Sequence, residues 1–169
     1  MTVVQYFGME ACRLYGFPYI YSNLTDTEQA PNYEDESNGM AELKKVLEFV
    51  KNDTYYPSFE EKCAYLLCSI AGSQYFSNGN KRLSVTVLLM FLIENDALVF
   101  VDGVRLQQLL EKAFPTHVWE NISSIQDPHS LFLYNLSIVI GDRSKWTTND
   151  FSILREHIAS IFSVIHKRE

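Results

Sequence analysis

The sequence predicts a mainly α-helical single domain with at most a short β-hairpin. Hydrophobic residues make up 47% of the 169 residues, which is enough to form a core. The chain has only 7 glycines and 5 prolines, whereas turn-rich β-sheet proteins need more of both. Several segments also place apolar residues three and four positions apart, the spacing that puts them on one face of a helix.

The first third of the chain is predicted to contain two helices separated by a loop. A short helix over residues 1–16 should end where Gly16-Phe17-Pro18 interrupts the pattern. Four of its apolar residues should lie partly inside the protein: Val4, Phe7, Cys12 and Leu14. Residues 21–39 are polar and acidic, which is typical of a surface loop. Helical spacing of apolar residues then predicts a helix over residues 39–52.

The rest of the chain is predicted to be a series of helices. Ser58 and Glu61 have the spacing of a capping box, which predicts the start of a helix over residues 59–72. The next helix, over residues 80–95, is apolar on nearly all sides, so we expect it at the centre of the core. Residues 98–101 are compatible with a short extended segment. Three further helices are predicted over residues 104–114, 128–140 and 149–166.

Charge and cysteine content exclude several classes of function. The formal charge is −7 and the isoelectric point about 5.1, so no nucleic-acid partner is expected, because that role needs a basic surface. The longest apolar stretch, residues 83–93, is too short to span a bilayer, and no signal peptide is visible, so we expect no membrane contact. The three cysteines, Cys12, Cys63 and Cys68, lack metal-ligand spacing, which favours a cytoplasmic protein. Cys63 and Cys68 lie in an apolar helical stretch and are expected to be buried thiols.

The segment that carries chemistry is Asn78-Gly79-Asn80-Lys81-Arg82, at the start of the predicted central helix. A helix N-terminus presents free N–H groups and the positive end of the helix dipole. Gly79 lets the backbone approach a ligand, and the Asn80 amide can donate a hydrogen bond. The two cations at a helix start are unfavourable by up to roughly 1 kcal/mol each, unless an anion binds there. This pattern predicts a phosphate-binding site, although Asn-Gly turns and solvated Lys-Arg pairs are also common.

This part of the chain resembles the Fic/Doc family of nucleotide-dependent transferases, which includes the death-on-curing toxins of toxin–antitoxin systems. The family's signature loop reads His, any residue, Phe, any residue, Asp or Glu, Gly or Ala, Asn, Gly or Lys, Arg. Residues 74–82, here called the motif loop, read Gln-Tyr-Phe-Ser-Asn-Gly-Asn-Lys-Arg. The resemblance covers about residues 30–110, and residues 115–169 are an unmatched helical extension of the same 1–169 domain.

The resemblance implies a nucleotide site from which AMP or a γ-phosphoryl group passes to a hydroxyl group of an unknown target protein. Gln74 occupies the position of the catalytic His, and its amide cannot accept a proton at neutral pH. Asn78 replaces the Mg²⁺-binding acid, so Mg²⁺ binding should be weak or absent. Phe76 matches the loop anchor, and the phosphate-binding positions are all present: Gly79, Asn80, Lys81 and Arg82. We therefore expect a degenerate member that binds ATP or another nucleotide and has lost or reduced transferase activity.

Two other interpretations stay open. An active transferase would need a base from elsewhere, and the four histidines all lie in the C-terminal part: His117, His129, His157 and His166. Alternatively, the chain is a protein-interaction module without nucleotide binding, in which residues 21–39 and the aromatic C-terminal part contact a partner chain. In death-on-curing toxins a partner segment completes the fold. Residues 115–169 would fill that groove within this chain, or would simply extend the core.

A last pattern concerns inhibition. Many members of the family carry a helix with Ser or Thr, three residues, Glu, then Gly or Asn, whose Glu pairs with the final Arg of the motif. Residues 152–157 read Ser-Ile-Leu-Arg-Glu-His. The resemblance thus implies an inhibitory pair between Glu156 and Arg82. The simpler interpretation, that Glu156 is a solvated surface charge, stays open.

Overall fold

The computed structural model describes residues 3–98 and 102–166, which are mainly helical and contain no β-strand. The α-helices are α1 (Met9–Ala11), α2 (Phe17–Ser22), α3 (Ser37–Phe49), α4 (Phe59–Ala71), α5 (Asn80–Glu94), α6 (Gly103–Ala113), α7 (Pro128–Gly141) and α8 (Phe151–Ile165). A π-helical turn, Cys12–Gly16, joins α1 to α2, and short 3-10 turns cover Tyr33–Asp35 and Arg143–Lys145. Most of the predicted extended segment, residues 99–101, lies outside the described residues.

The first helical segment differs from its prediction. It begins at Met9 and continues through Gly16-Phe17-Pro18 to the end of α2. The wider π-helical turn, in which the Phe17 N–H donates to the Cys12 carbonyl, comes immediately before Pro18. A proline in a regular helix clashes with the preceding turn, and the wider turn removes that conflict. Leu14, expected partly inside, has 58% of its surface exposed.

The predicted helices from residue 39 onward are confirmed within two or three residues at their ends. Ser58 and Glu61 form the expected capping box at the start of α4. Side-chain N-caps mark where four of them begin: Ser58, Asp102, Asp127 and Asp150.

Helices from both halves of the chain share one core. α4 packs against α5 and α8, and α5 also packs against α7. Every residue of α5 from Leu83 to Leu88 is buried. All three cysteines are buried and none is in a disulfide, and burial was predicted for Cys63 and Cys68. Burial raises the pKa of Cys68 to about 12. Within residues 3–98 and 102–166, no helix has the length and apolar character needed to cross a membrane.

The acidic segment 21–39 is only in part the surface loop that its composition predicts. Pro31 and Tyr33 are buried, and the ring of Tyr33 stacks on Phe17 with 4.7 Å between centroids. Tyr33 also meets Phe76 of the motif loop edge-on at 5.0 Å. These aromatic contacts hold the segment against the motif loop that precedes α5. The acidic composition of the segment gives no sign of them.

Candidate functional site

Gly79 fixes the turn that leads into α5. Its φ of +82° lies in the left-handed region, which glycine adopts without steric cost. A Cβ at this position would lie 2.5 Å from the Tyr33 hydroxyl oxygen and 2.8 Å from Pro31 Cβ. The Tyr33 hydroxyl donates to the Gly79 carbonyl at 2.8 Å. Glycine is therefore required by the turn and by Tyr33 packing, and the space that we expected to admit a ligand is filled by residues 31–33.

The Asn80 side chain holds the motif loop closed. Its Oδ1 accepts from the Phe76 N–H at 3.1 Å, and its Nδ2 donates to the Phe76 carbonyl at 2.7 Å. The amide that we expected to donate to an anion therefore donates to the protein. Phe76 is buried and packs so closely on Gly39 of α3 that a Cβ there would lie 2.6 Å from its ring. The loop is thus anchored to the core on one side and pinned by Asn80 on the other.

The backbone N–H groups at the start of α5 are open. Those of Gly79, Asn80, Lys81 and Arg82 have no acceptor among the described residues, and no side chain caps the helix. Four other helices do have a side-chain N-cap, supplied by Ser58, Asp102, Asp127 and Asp150. Uncapped N–H groups with the positive end of a helix dipole attract an anion. The feature on which the phosphate prediction depends is therefore present.

Lys81 is the second cation of this site, and its charge acts on the carboxylate of Asp142 just after α7. It is exposed, and its side chain has no hydrogen bond or ion pair with any residue that the structure describes. It lies beside Gly141, since a Cβ there would be 3.6 Å from Lys81 Nζ. Gly141 ends α7, and a cation is favourable near the carbonyl end of a helix. The negative end of the α7 dipole thus offsets part of the electrostatic repulsion between Lys81 and the positive end of α5.

Arg82 already has an acidic partner. Its guanidinium forms an ion pair with Glu28, donates to Ser124 Oγ at 2.7 Å and lies 5.9 Å from the Tyr134 ring centroid. Desolvation raises the pKa of Glu28, but hydrogen bonds from Thr25 and Ser124 and the charge of Arg82 outweigh it and lower that pKa to about 2. Glu28 is therefore ionised at neutral pH and neutralises Arg82.

The same acidic segment makes two further contacts with the motif loop. The Glu36 carboxylate accepts from the Ser77 N–H at 2.9 Å and from its hydroxyl at 3.1 Å. Asn78 Nδ2 donates to the Gln29 carbonyl at 3.1 Å. Residues 28–36 therefore bind the motif loop at Ser77 and Asn78, just before α5. They do not accept hydrogen bonds from the N–H groups of residues 79–82 at the start of α5.

A cavity of about 450 Å³, here called the loop cavity, adjoins these groups. Its lining includes Gln74, Asn78 and all of residues 79–82, where the sequence predicts phosphate binding, with Glu28 at one wall. Gln74 is exposed, and its side chain makes no hydrogen bond to the residues described. The structure thus brings together all of the motif residues that the sequence singled out, except that Phe76 lies beneath them in the core.

None of the four histidines lines the loop cavity. His117 Nε2 lies 2.8 Å from Asn135 Oδ1, and His157 packs against the ring of Phe114. His129 and His166 are buried together, with 2.8 Å between their Nε2 atoms. Burial, and then the neighbouring His129, lower the pKa of His166 to about 3.

The residues present do not make a metal site. Within the described parts of the chain, no three His, Cys, Asp or Glu side chains lie close enough together to hold a metal ion. Asn78 offers one neutral oxygen, and its nitrogen is already bonded to Gln29. Mg²⁺ prefers carboxylate oxygens, so this loop lacks the charge that would hold it.

The pair predicted between Glu156 and Arg82 is not present in the structure. Glu156 is exposed on α8, and the acid paired with Arg82 is Glu28. Sequence reasoning missed Glu28, Tyr33 and Glu36, because their contacts with the motif loop span 41 to 54 residues along the chain. The available signal was the abundance of acids in segment 21–39, together with its two tyrosines, ahead of a loop with two cations.

Comparisons with protein-family models, with curated proteins and with solved structures found no match to this chain. The likeness to the Fic/Doc family therefore depends on the motif loop and the segments around it.

Proposed function

We propose that this chain is a degenerate Fic/Doc-like domain that binds the phosphate groups of a nucleotide at the start of α5. Its transfer of AMP or phosphate to protein hydroxyl groups would be lost or reduced. The observation that carries the proposal is the row of open N–H groups from Gly79 to Arg82, which line the loop cavity beside the unpaired Lys81. In this proposal α5 serves as the family's central apolar helix.

The chemistry of the loop supports binding more than transfer. Gln74 lines the loop cavity where the family's base would stand, and no histidine replaces it there. A missing general base costs about 10²–10⁴-fold in rate. Asn78 supplies no negative charge that would hold a metal ion beside the phosphates, and its side-chain nitrogen is bonded to Gln29. These two positions favour a pseudoenzyme over the active transferase with a base from elsewhere.

The proposal also covers the cellular location of the protein, the role of its C-terminal helices and its partners. Three buried cysteines that form no disulfide are typical of a reducing compartment, so we propose a cytoplasmic location. The C-terminal helices α7 and α8 pack into the same core as α4 and α5, which favours their role as an extension of the domain. A target protein or partner chain remains a prediction from the family resemblance.

Calorimetric titration of the full chain with ATP tests the binding proposal. We expect Lys81→Gln to weaken ATP binding by about 5–10-fold, because one charge near the phosphates contributes about 1 kcal/mol. Lys44→Gln, which removes an equally exposed charge from α3, should leave the affinity unchanged. The proposal is wrong if ATP does not bind, or if the two variants have equal effects.

A restoration experiment tests why transfer would be impaired. The double variant Gln74→His with Asn78→Asp supplies the two groups that the family resemblance requires. We expect it to label a protein in a cell lysate from labelled ATP, whereas the unmodified chain labels little or none. A double variant that binds ATP as well as the unmodified chain but labels nothing would show that these two positions do not explain the loss.

A further inference from the structure

Two buried histidines join the end of α8 to the start of α7. His129 is the second residue of α7, and His166 directly follows the last residue of α8. Their Nε2 atoms lie 2.8 Å apart, and the exposed fractions of the two residues are 8% and 2%. The ring of Phe162 stacks on His166 with 4.9 Å between centroids. The two helix ends are therefore linked by a polar contact that is almost closed off from water.

The contact between the two rings has room for one hydrogen atom. A neutral imidazole carries one N–H, so one ring donates through its Nε2 and the other accepts there. If both rings were protonated, both Nε2 atoms would carry a hydrogen, and two N–H groups would point at each other across 2.8 Å. The contact between His129 and His166 is therefore compatible with at most one charged ring.

His166 has a second reason to stay neutral. Its Nδ1 is buried and has no hydrogen-bond partner among the residues that the structure describes. A protonated imidazole carries an N–H at both nitrogens, so a charged His166 would bury a donor without an acceptor. Such an unpaired buried donor is unfavourable, and the penalty disappears when the ring moves into water.

The surroundings of the two rings offer little compensation for a positive charge. Asp127, the N-cap of α7, raises the pKa of His129, but burial outweighs it and lowers that pKa. Helices α4, α5 and α6 pack against α7, and α4 packs against α8. No charged side chain on these neighbouring helices shifts the pKa of either ring. The positive end of the α7 dipole also disfavours a cation at His129.

We propose that protonation of both histidines in mildly acidic solution separates the two rings and releases the last turn of α8, residues 162–166, from the domain. The earlier turns of α8 are fixed independently, by Leu154 and Ile158 in the core and by the Asp150 N-cap. Helix ends open at a lower free energy than whole domains. The His129–His166 contact is thus a pH-sensitive device, and it does not depend on nucleotide binding.

The size of the pH effect follows from His166. Its pKa is about 3 in the closed contact and has its ordinary value of 6.5 once the turn is released. The contact is therefore fully stable above pH 6.5 and weakens as the pH falls below that value. Between pH 7.5 and pH 5.0, the uptake of this one proton favours the released form by about 30-fold.

Hydrogen exchange of the full chain at pH 7.5 and pH 5.0 tests the proposal. The reporter is the N–H of His166, which donates to the Phe162 carbonyl at 2.8 Å. After correction for the intrinsic effect of pH on exchange, we expect its protection to fall by about 30-fold at pH 5.0. The amides of α4, in the centre of the core, should keep their protection.

Two variants show whether the histidine pair causes this change. His166→Gln keeps a side chain that can bond to His129 but takes up no proton at these pH values, so the pH response of the last turn should disappear. His157→Gln is the matched control, because His157 also lies on α8 but packs against Phe114. This variant should keep the full response.

Equal protection of the last turn at both pH values, or an equal fall in His166→Gln, would overturn the proposal. A parallel loss of protection in α4 would also overturn it, because the whole domain would then be unfolding. If His166→Gln does not fold, NMR of the histidine rings in the unmodified chain decides the matter. The ring of His166 should titrate at the pH at which the turn opens, and opening without that titration would contradict the proposal.

Discussion

Replacement of Glu28 by Gln should strengthen nucleotide binding. The Glu28 carboxylate is paired with Arg82 at the wall of the loop cavity and is ionised at neutral pH. The Glu28 carboxylate therefore repels a phosphate group at the start of α5. It also keeps the Arg82 guanidinium in an ion pair, so that this guanidinium cannot bind the phosphate. Gln keeps the size of the side chain and removes the charge.

The magnitude of this effect follows from the site. Two like charges about 6 Å apart repel by roughly 3 kcal/mol at an effective dielectric constant of about 20. The Glu28 side chain is 29% exposed, so solvent and salt reduce the repulsion to roughly 1–2 kcal/mol. That corresponds to about 5–30-fold tighter binding.

Calorimetric titration of Glu28→Gln with ATP measures the gain. Glu156→Gln, on the exposed face of α8, is the matched control and should bind ATP like the unmodified chain. Thermal unfolding shows whether each variant is folded. A folded Glu28→Gln variant with unchanged or weaker affinity would refute the reasoning, as would an equal gain in Glu156→Gln.

Three further outcomes concern stability. Gly79→Ala should lower the free energy of unfolding by about 2–4 kcal/mol, because it combines a left-handed φ with a Cβ 2.5 Å from the Tyr33 oxygen; a loss below about 1 kcal/mol in urea denaturation would contradict this. Tyr33→Phe should cost about 1 kcal/mol through its lost hydrogen bond to Gly79 in the same assay, and an unchanged midpoint would argue against that bond. The third outcome is the dependence of stability on pH. The pKa of His166 is about 3 in the folded protein and has its ordinary value of 6.5 in the unfolded chain, so as the pH falls the unfolded chain is protonated before the folded protein. Stability should therefore be full above pH 6.5 and fall by up to about 1.4 kcal/mol per pH unit below it. His166→Phe should flatten this dependence, and an equally steep profile in the variant would assign it to other groups.

The helices were predictable from the sequence where local signals agree. Ser58 and Glu61 bond to each other's backbone within one turn, so their spacing alone shows where α4 begins. The path through Pro18 was not predictable, because a π-helical turn depends on how this turn and α2 pack on α5. Regular periodicity carries no sign of such a turn.

The sequence predicted the local part of the site but not the residues that contact it from elsewhere in the chain. The motif loop and its position at the start of α5 follow from residues 74–82. The partners of that loop come from segment 21–39, and contacts over such separations depend on tertiary packing. Asn80 illustrates the limit, because the same amide can face a ligand or close its own loop, and only the fold decides between them.

Amide chemical shifts measured by NMR during titration with ATP test the central claim most directly. We expect the largest changes at the backbone amides that have no acceptor in the structure: Gly79, Asn80, Lys81 and Arg82. Changes at these amides that saturate with ATP would support the phosphate site. Saturating changes confined to other parts of the chain, or no change at any ATP concentration, would contradict it.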